Sequence, residues 1–206
     1  MAKKTRVRKD TVYGCVEGKR EDIFLKFLTH IYQSKSSGID IRWEGPTGGA
    51  PDKVINIAIR ACDRVKSFAW LDEDFEPENP LSREARKRLA KCWNIQPKHL
   101  DDFYQCPLRD LQKLHNPTNR NPLLIVSNPV CVESIILQSL GKILPLENYD
   151  HTKREAQIKK LKNKLDELIG ESSEQDFYLA NLSIDLLEER KNLIPELWLL
   201  ISLCKR

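Results

Sequence analysis

Apolar residues along the chain fall into two kinds of run. Residues 11–16 (TVYGCV), 67–71 (SFAWL) and 123–127 (LLIVS) are short, apolar nearly throughout and closed by polar turn residues. Such runs predict strands buried on both faces. Residues 39–43 alternate and predict a further strand. Between the strands the period changes. Ile23, Phe24, Phe27, Leu28 and Ile31 repeat at helical spacing within residues 21–32, which predicts a helix with one apolar stripe. Pro51 and Asp52 suit the opening of a second helix, expected to run to about residue 65. Residues 132–140 read as the helix after the last strand.

Prolines at 77, 80, 97, 107, 117 and 122 break residues 76–122 into short helical pieces. From residue 152 to 168 the chain is charged and helical, with a break at 170–173 and helices to the end. The order is strand, helix, strand, helix, strand, insertion, strand, helix. It predicts an α/β fold: a mostly parallel sheet flanked by helices, with a helical insertion and a helical C-terminal segment. We expect residues 1–145 to form the sheet-bearing domain and residues 146–206 to pack on it.

Composition narrows the class. Hydrophobic residues make up 40% and charged residues 31%, which fits a globular chain with a sizeable core. No apolar run is long enough for a membrane span, and none follows the N-terminus as a signal peptide would require. Residues 193–203 are apolar but contain Pro195 and Glu196, so a core or dimer-interface helix is expected there. The six cysteines form no CxxC pair and read as reduced thiols of a cytoplasmic protein. Cys92, His99, Cys106 and His115 do not have the spacing of a zinc knuckle or finger. The net charge of +4 is mild, but its distribution is uneven. Basic clusters occupy residues 3–9, 83–91 and 153–164, which permits a nucleic-acid partner.

Parallel sheets bind ligands beyond the carboxyl ends of their strands. Two predicted strands finish in acids there, the first in Glu17 and the third in Asp72 and Asp74. Residues two apart on an extended chain face the same side, so Asp72 and Asp74 point together. Glu133 lies on the helix after the fourth strand. Carboxylate oxygens are the ligands that Mg²⁺ or Mn²⁺ prefers. Crowded acids repel one another unless a cation neutralises them. Gly18 suits a sharp turn beside a ligand. Acids after strands also serve as helix caps, so each residue alone has a plain structural use.

Three segments carry a resemblance: CVEGKRE at 15–21, WLDED at 70–74 and VSNPVCVES at 126–134. Together they resemble the Toprim domain, and more narrowly its RloB-like group in prokaryotes. That pattern has Glu-Gly after the first strand and Asp-x-Asp after a later one. A second Glu, matched by Glu21, follows the Glu-Gly. A Ser-Asn-Pro followed by a helical Glu is matched by Ser127, Asn128, Pro129 and Glu133. The chain departs from it where Arg20 replaces a Thr and Val132 an aromatic residue.

The resemblance implies a metal-dependent nuclease acting in anti-phage defence, with Mg²⁺ or Mn²⁺ as cofactor. RNA of tRNA type is the favoured substrate and DNA the alternative. Asp72 and Asp74 would hold metal, Glu17 would ligate it or act as general base, and Glu133 and Glu21 would complete the cluster. Substrate contacts are expected from Gly18, Lys19, Arg20, Ser127, Asn128 and Lys153. The basic helix bearing Arg83, Arg86 and Lys87 reads either as a phosphate-tracking face or as an ordinary solvated one. A homo-oligomer or a partner ATPase or sensor protein is also expected. A different class, a nucleic-acid-binding or regulatory module without turnover, stays open.

Overall fold

The computed structural model describes residues 10–33, 39–44, 50–72, 81–108, 110–111, 121–127, 131–144 and 154–204. Four strands form one parallel sheet: β1 (Asp10–Val16), β2 (Ile39–Glu44), β3 (Lys66–Asp72) and β4 (Leu123–Ser127), in the order β2-β1-β3-β4. Val16 lies opposite Trp70, and Asp72 lies opposite Ser127. The third strand therefore runs through Asp72, which the sequence places just beyond it.

Two helical layers cover the sheet. One contains α1 (Lys19–Gln33). The other contains α2 (Pro51–Cys62), α3 (Arg83–Cys92) and, after a 3₁₀ turn at Pro97–His99, α4 (Leu100–Gln105). The strand residues sort by parity, as period-2 side chains must. Val12, Val16, Phe68, Trp70 and Ile125 meet the layer of α1, whereas Cys15, Ala69, Leu71, Leu124 and Val126 meet the layer of α2 and α3. Burial on both sides explains why these strands are continuously apolar rather than alternating. Gly14 faces the α1 side, where the Phe68 ring lies so close that a Cβ would overlap it.

The stripe predicted for α1 is the one buried: Phe24, Phe27 and Leu28 are fully enclosed, each contributing roughly 2–3 kcal/mol from burial. Helix α2 ends at Cys62, earlier than expected. The Ala61 carbonyl accepts from both Arg64 N (3.0 Å) and Val65 N (3.1 Å), tightening the chain into β3.

After β4 come α5 (Val132–Ser139), α6 (Arg154–Ile169), α7 (Glu174–Asn181), α8 (Ile184–Arg190) and α9 (Pro195–Cys204). They join the α1 layer. Leu161, Leu165, Tyr178, Leu187, Leu197, Leu200 and Ile201 share one core with Phe24 and Trp70. The C-terminal segment is thus built into the same core as the sheet. Helix α9 takes the core role expected for it, leaving Leu193 and Trp198 exposed. No helix among the described residues is long and apolar enough to cross a membrane. All six cysteines are free, with Cys62 Sγ and Cys92 Sγ 3.5 Å apart.

Candidate functional site

The sheet order creates one topological switch point. Strand β1 is followed by a helix on one face and β2 by a helix on the other, so the chain parts between β1 and β3. A crevice opens at such a point, outside the strand carboxyl ends. Glu17 directly follows β1 and Asp72 ends β3, so the two acids flank it. They are joined directly, since the Asp72 backbone N–H donates to Glu17 Oε2 at 3.1 Å. A cleft of ≈ 260 Å³ lies here, lined by Glu17, Gly18, Arg20, Glu21, Asp72 and Glu133, with Lys19, Val132 and Lys162 completing it.

Each acid is held by local structure. Asp72 Oδ1 accepts from the Val132 backbone N–H at 3.0 Å, at the start of α5, where the helix N-terminus favours negative charge. Trp70 Nε1 donates to Ser127 Oγ at 2.9 Å, and the Ser127 side chain, on the residue paired with Asp72 across the sheet, favours the ionised form of Asp72. Glu21 sits in the first turn of α1 and is 3% exposed. It lies so near Gly18 that a Cβ there would stand 2.6 Å from Glu21 Oε2. Glu133 opens α5 and is also 3% exposed. Its Oε1 accepts from Arg20 Nη1 at 2.8 Å, while its buried Oε2 accepts no hydrogen bond.

The cluster carries more negative charge than it neutralises internally. Burial, then the charges of Glu133 and Glu17, push the Glu21 carboxyl up to about 7, against relief from a backbone hydrogen bond and Lys162. Burial, then Glu21, Glu133 and Glu17, raise Asp72 well above the usual carboxylate range, with Ser127 pulling the other way. Arg20 is the main counter-charge. Burial alone would lower its pKa, but its hydrogen bonds to Glu174 and the charge of Glu133 reverse the sign and raise it. Its Nη2 also meets Asp166 at 2.7 Å and Glu174 at 2.8 Å.

These are hard oxygen donors of the kind that suit Mg²⁺ or Mn²⁺, and Glu133 offers a buried oxygen without a partner. Yet no three carboxylates among the described residues converge as a ready-made metal-binding group. Asp74 lies outside the described residues, as do Asn128 and Lys153.

The structure brings Glu17, Gly18, Lys19, Arg20, Glu21, Asp72 and Glu133 to one place. Three expectations need correction. Arg20 is not free for a phosphate: its guanidinium is committed to Glu133, Asp166 and Glu174. Ser127 is fully buried with its hydroxyl accepting from Trp70, so it does not line the cleft. Arg86 does not belong to an exposed face. The helical period sets it with Ala85, Leu89 and Ala90 on the inward stripe of α3, at 1% exposure. Arg83 and Lys87 remain exposed on that helix.

One cleft residue lies in a basic cluster of the sequence without being singled out by it. Lys162 comes from α6, far along the chain, in a helix where lysines recur at 159, 160, 162 and 164. Only packing selects Lys162 from that set. Asp166 and Glu174 are likewise drawn in by Arg20 alone.

No family model, no curated protein and no solved structure matches this chain.

Proposed function

We propose that this chain is a divalent-metal-dependent nuclease of the Toprim type, with RNA as the favoured substrate. The observation that carries the reading is the acid pair Glu17–Asp72 at the switch point, crowded by Glu21 and Glu133. A strand-end cluster left with surplus negative charge and an open oxygen is suited to a hard cation.

Mg²⁺ or Mn²⁺, when bound, would polarise the phosphoryl oxygen and stabilise the leaving group. Asp72 and Asp74 would hold it, with Glu133 and Glu21 completing the set. Glu17 serves as a further ligand or as the base that takes a proton from water or a ribose 2′-hydroxyl. Lys19 and Lys162 bring positive charge to the rim of an otherwise acidic cleft, where a phosphodiester needs it. Arg20 acts through Glu133: it fixes Oε1 and leaves Oε2 for the site. A role as an anti-phage effector, and a partner ATPase or sensor, belong to the same reading.

The test is incubation with tRNA, single-stranded RNA and plasmid DNA, each with Mg²⁺, Mn²⁺ or EDTA. Cleavage that needs metal and disappears in Asp72→Asn supports the proposal. No cleavage of any substrate under any metal sinks it. A second reading has its own observation, since Arg20 already neutralises part of the cluster. In that reading the chain binds nucleic acid without turnover. Salt-sensitive RNA or DNA binding that survives Asp72→Asn, with no cleavage, favours it.

A further inference from the structure

Away from the acidic cleft, α3 carries a second polar site. Arg86 is 1% exposed, yet no carboxylate among the described residues pairs with it. Its Nη1 donates to the carbonyls of Phe103 (2.8 Å) and Tyr104 (3.0 Å), which caps the end of α4. Its Nε and Nη2 make no hydrogen bond. A buried guanidinium with unmatched donors is costly unless an anion meets it. Beside it lies a cavity of ≈ 520 Å³, lined by Ser82, Arg83, Arg86, Asp101, Tyr104 and Gln105, with Leu81 at its edge.

The N-terminus of α3 borders the same space. Ser82 caps that ten-residue helix by accepting from Ala85 N. Helix N-termini present free N–H groups and partial positive charge to anions. Asp52 takes one of the local donors, accepting from Ser82 N at 2.9 Å. Two arginines and a helix N-terminus therefore border a space whose lining holds one carboxylate, Asp101, with Asp52 a second acid at Ser82 N, and it is large enough for a nucleotide-sized ligand.

We propose that this cavity binds a phosphate group, through the Arg86 guanidinium, Arg83 and the N-terminus of α3. Arg86 Nε and Nη2 are enclosed behind the lining, so Arg83 and the N-terminus of α3 meet the phosphate oxygens while buried Arg86 supplies unneutralised positive charge beside them. The site is separate from the acidic cleft and does not depend on how that cleft is read.

Calorimetric titration of the full chain with inorganic phosphate, in EDTA and at constant ionic strength, tests it. Saturable binding that sulfate competes away is expected. Arg83→Gln should weaken it roughly tenfold, the scale of one charge-assisted contact. Asp101→Asn should tighten it roughly threefold by removing repulsion. Arg86→Met should abolish binding. Should that variant lose its fold by circular dichroism, Arg83→Gln and Asp101→Asn carry the test. Asp72→Asn should leave phosphate binding unchanged, which separates this site from the cleft. Parallel titrations with a nucleoside 5′-monophosphate and a short single-stranded oligonucleotide tell a free nucleotide from a backbone phosphate. Absence of saturable binding by all three probes overturns the proposal, as does binding indifferent to both Arg83→Gln and Asp101→Asn.

Discussion

Arg20 and Glu133 are joined by a 2.8 Å charge-assisted hydrogen bond between the first turns of α1 and α5. They stand 113 residues apart in the chain. The pair does two things. It neutralises one buried carboxylate of the cleft, and it ties the sheet's first helix to the C-terminal helices through Asp166 and Glu174.

Removing the cation should therefore hurt more than removing the whole pair. Arg20→Met leaves Glu133 buried and unpaired, and should cost about 2–4 kcal/mol in urea unfolding. Adding Glu133→Gln to that variant should recover part of the loss. Equal stability of the single and double variants would show that the ion pair is not the reason.

Stability should fall as pH rises through the neutral range. Glu21 is raised from its ordinary 4.5 to about 7. Between those values the folded chain holds a proton that the unfolded chain has released, so unfolding free energy drops with pH. The loss is about 3 kcal/mol at most for this group, and is complete above pH 7. Asp72 is raised as well and acts with the same sign. Thermal melts between pH 5 and 8 should show the slope, and Glu21→Gln should flatten it. If Mg²⁺ binds among these acids, it should raise the melting temperature more at pH 8 than at pH 5.5.

Gly18 and Gly14 should both resist alanine, for different reasons. At Gly18 the new methyl meets the Glu21 carboxylate, so Gly18→Ala should displace an acid of the cleft and lower any metal-dependent activity while the chain stays folded. At Gly14 the methyl meets the Phe68 ring in the core, so Gly14→Ala should destabilise by about 1–3 kcal/mol from overpacking. Denaturation and activity assays on the two variants should separate these outcomes.

The Trp70–Ser127–Asp72 chain predicts a remote effect on the cleft. Ser127→Ala leaves the buried Trp70 N–H without its acceptor, a loss of about 1–3 kcal/mol. It also removes the hydroxyl that favours ionised Asp72. The acid limb of a cleavage pH profile should move to higher pH in Ser127→Ala. Trp70→Phe keeps the serine, and should leave that limb closer to wild type.

Much of the layout was legible before any coordinates. Period and proline placement gave the strands, the α1 stripe and the helical insertion, because local backbone preference and one-sided burial leave a repeating trace in residue order. The carboxyl-end positions of Glu17 and Asp72 followed from the same trace. Residue order leaves no such trace for partners brought together from afar. Nothing near Arg20 announces Asp166 or Glu174. Arg86 shares the inward stripe of Ala85, Leu89 and Ala90, but residue order does not pair it with the carbonyls of Phe103 and Tyr104. Lys162 differs from Lys160 and Lys164 only in which way α6 is rotated against α5. By itself, then, the sequence determined which residues form strands and helices and which acids end the strands, since those depend on neighbours along the chain. Tertiary structure alone decided which charges meet, because pairing depends on how helices pack across the sheet, and burial then sets what each pairing does to the carboxylates.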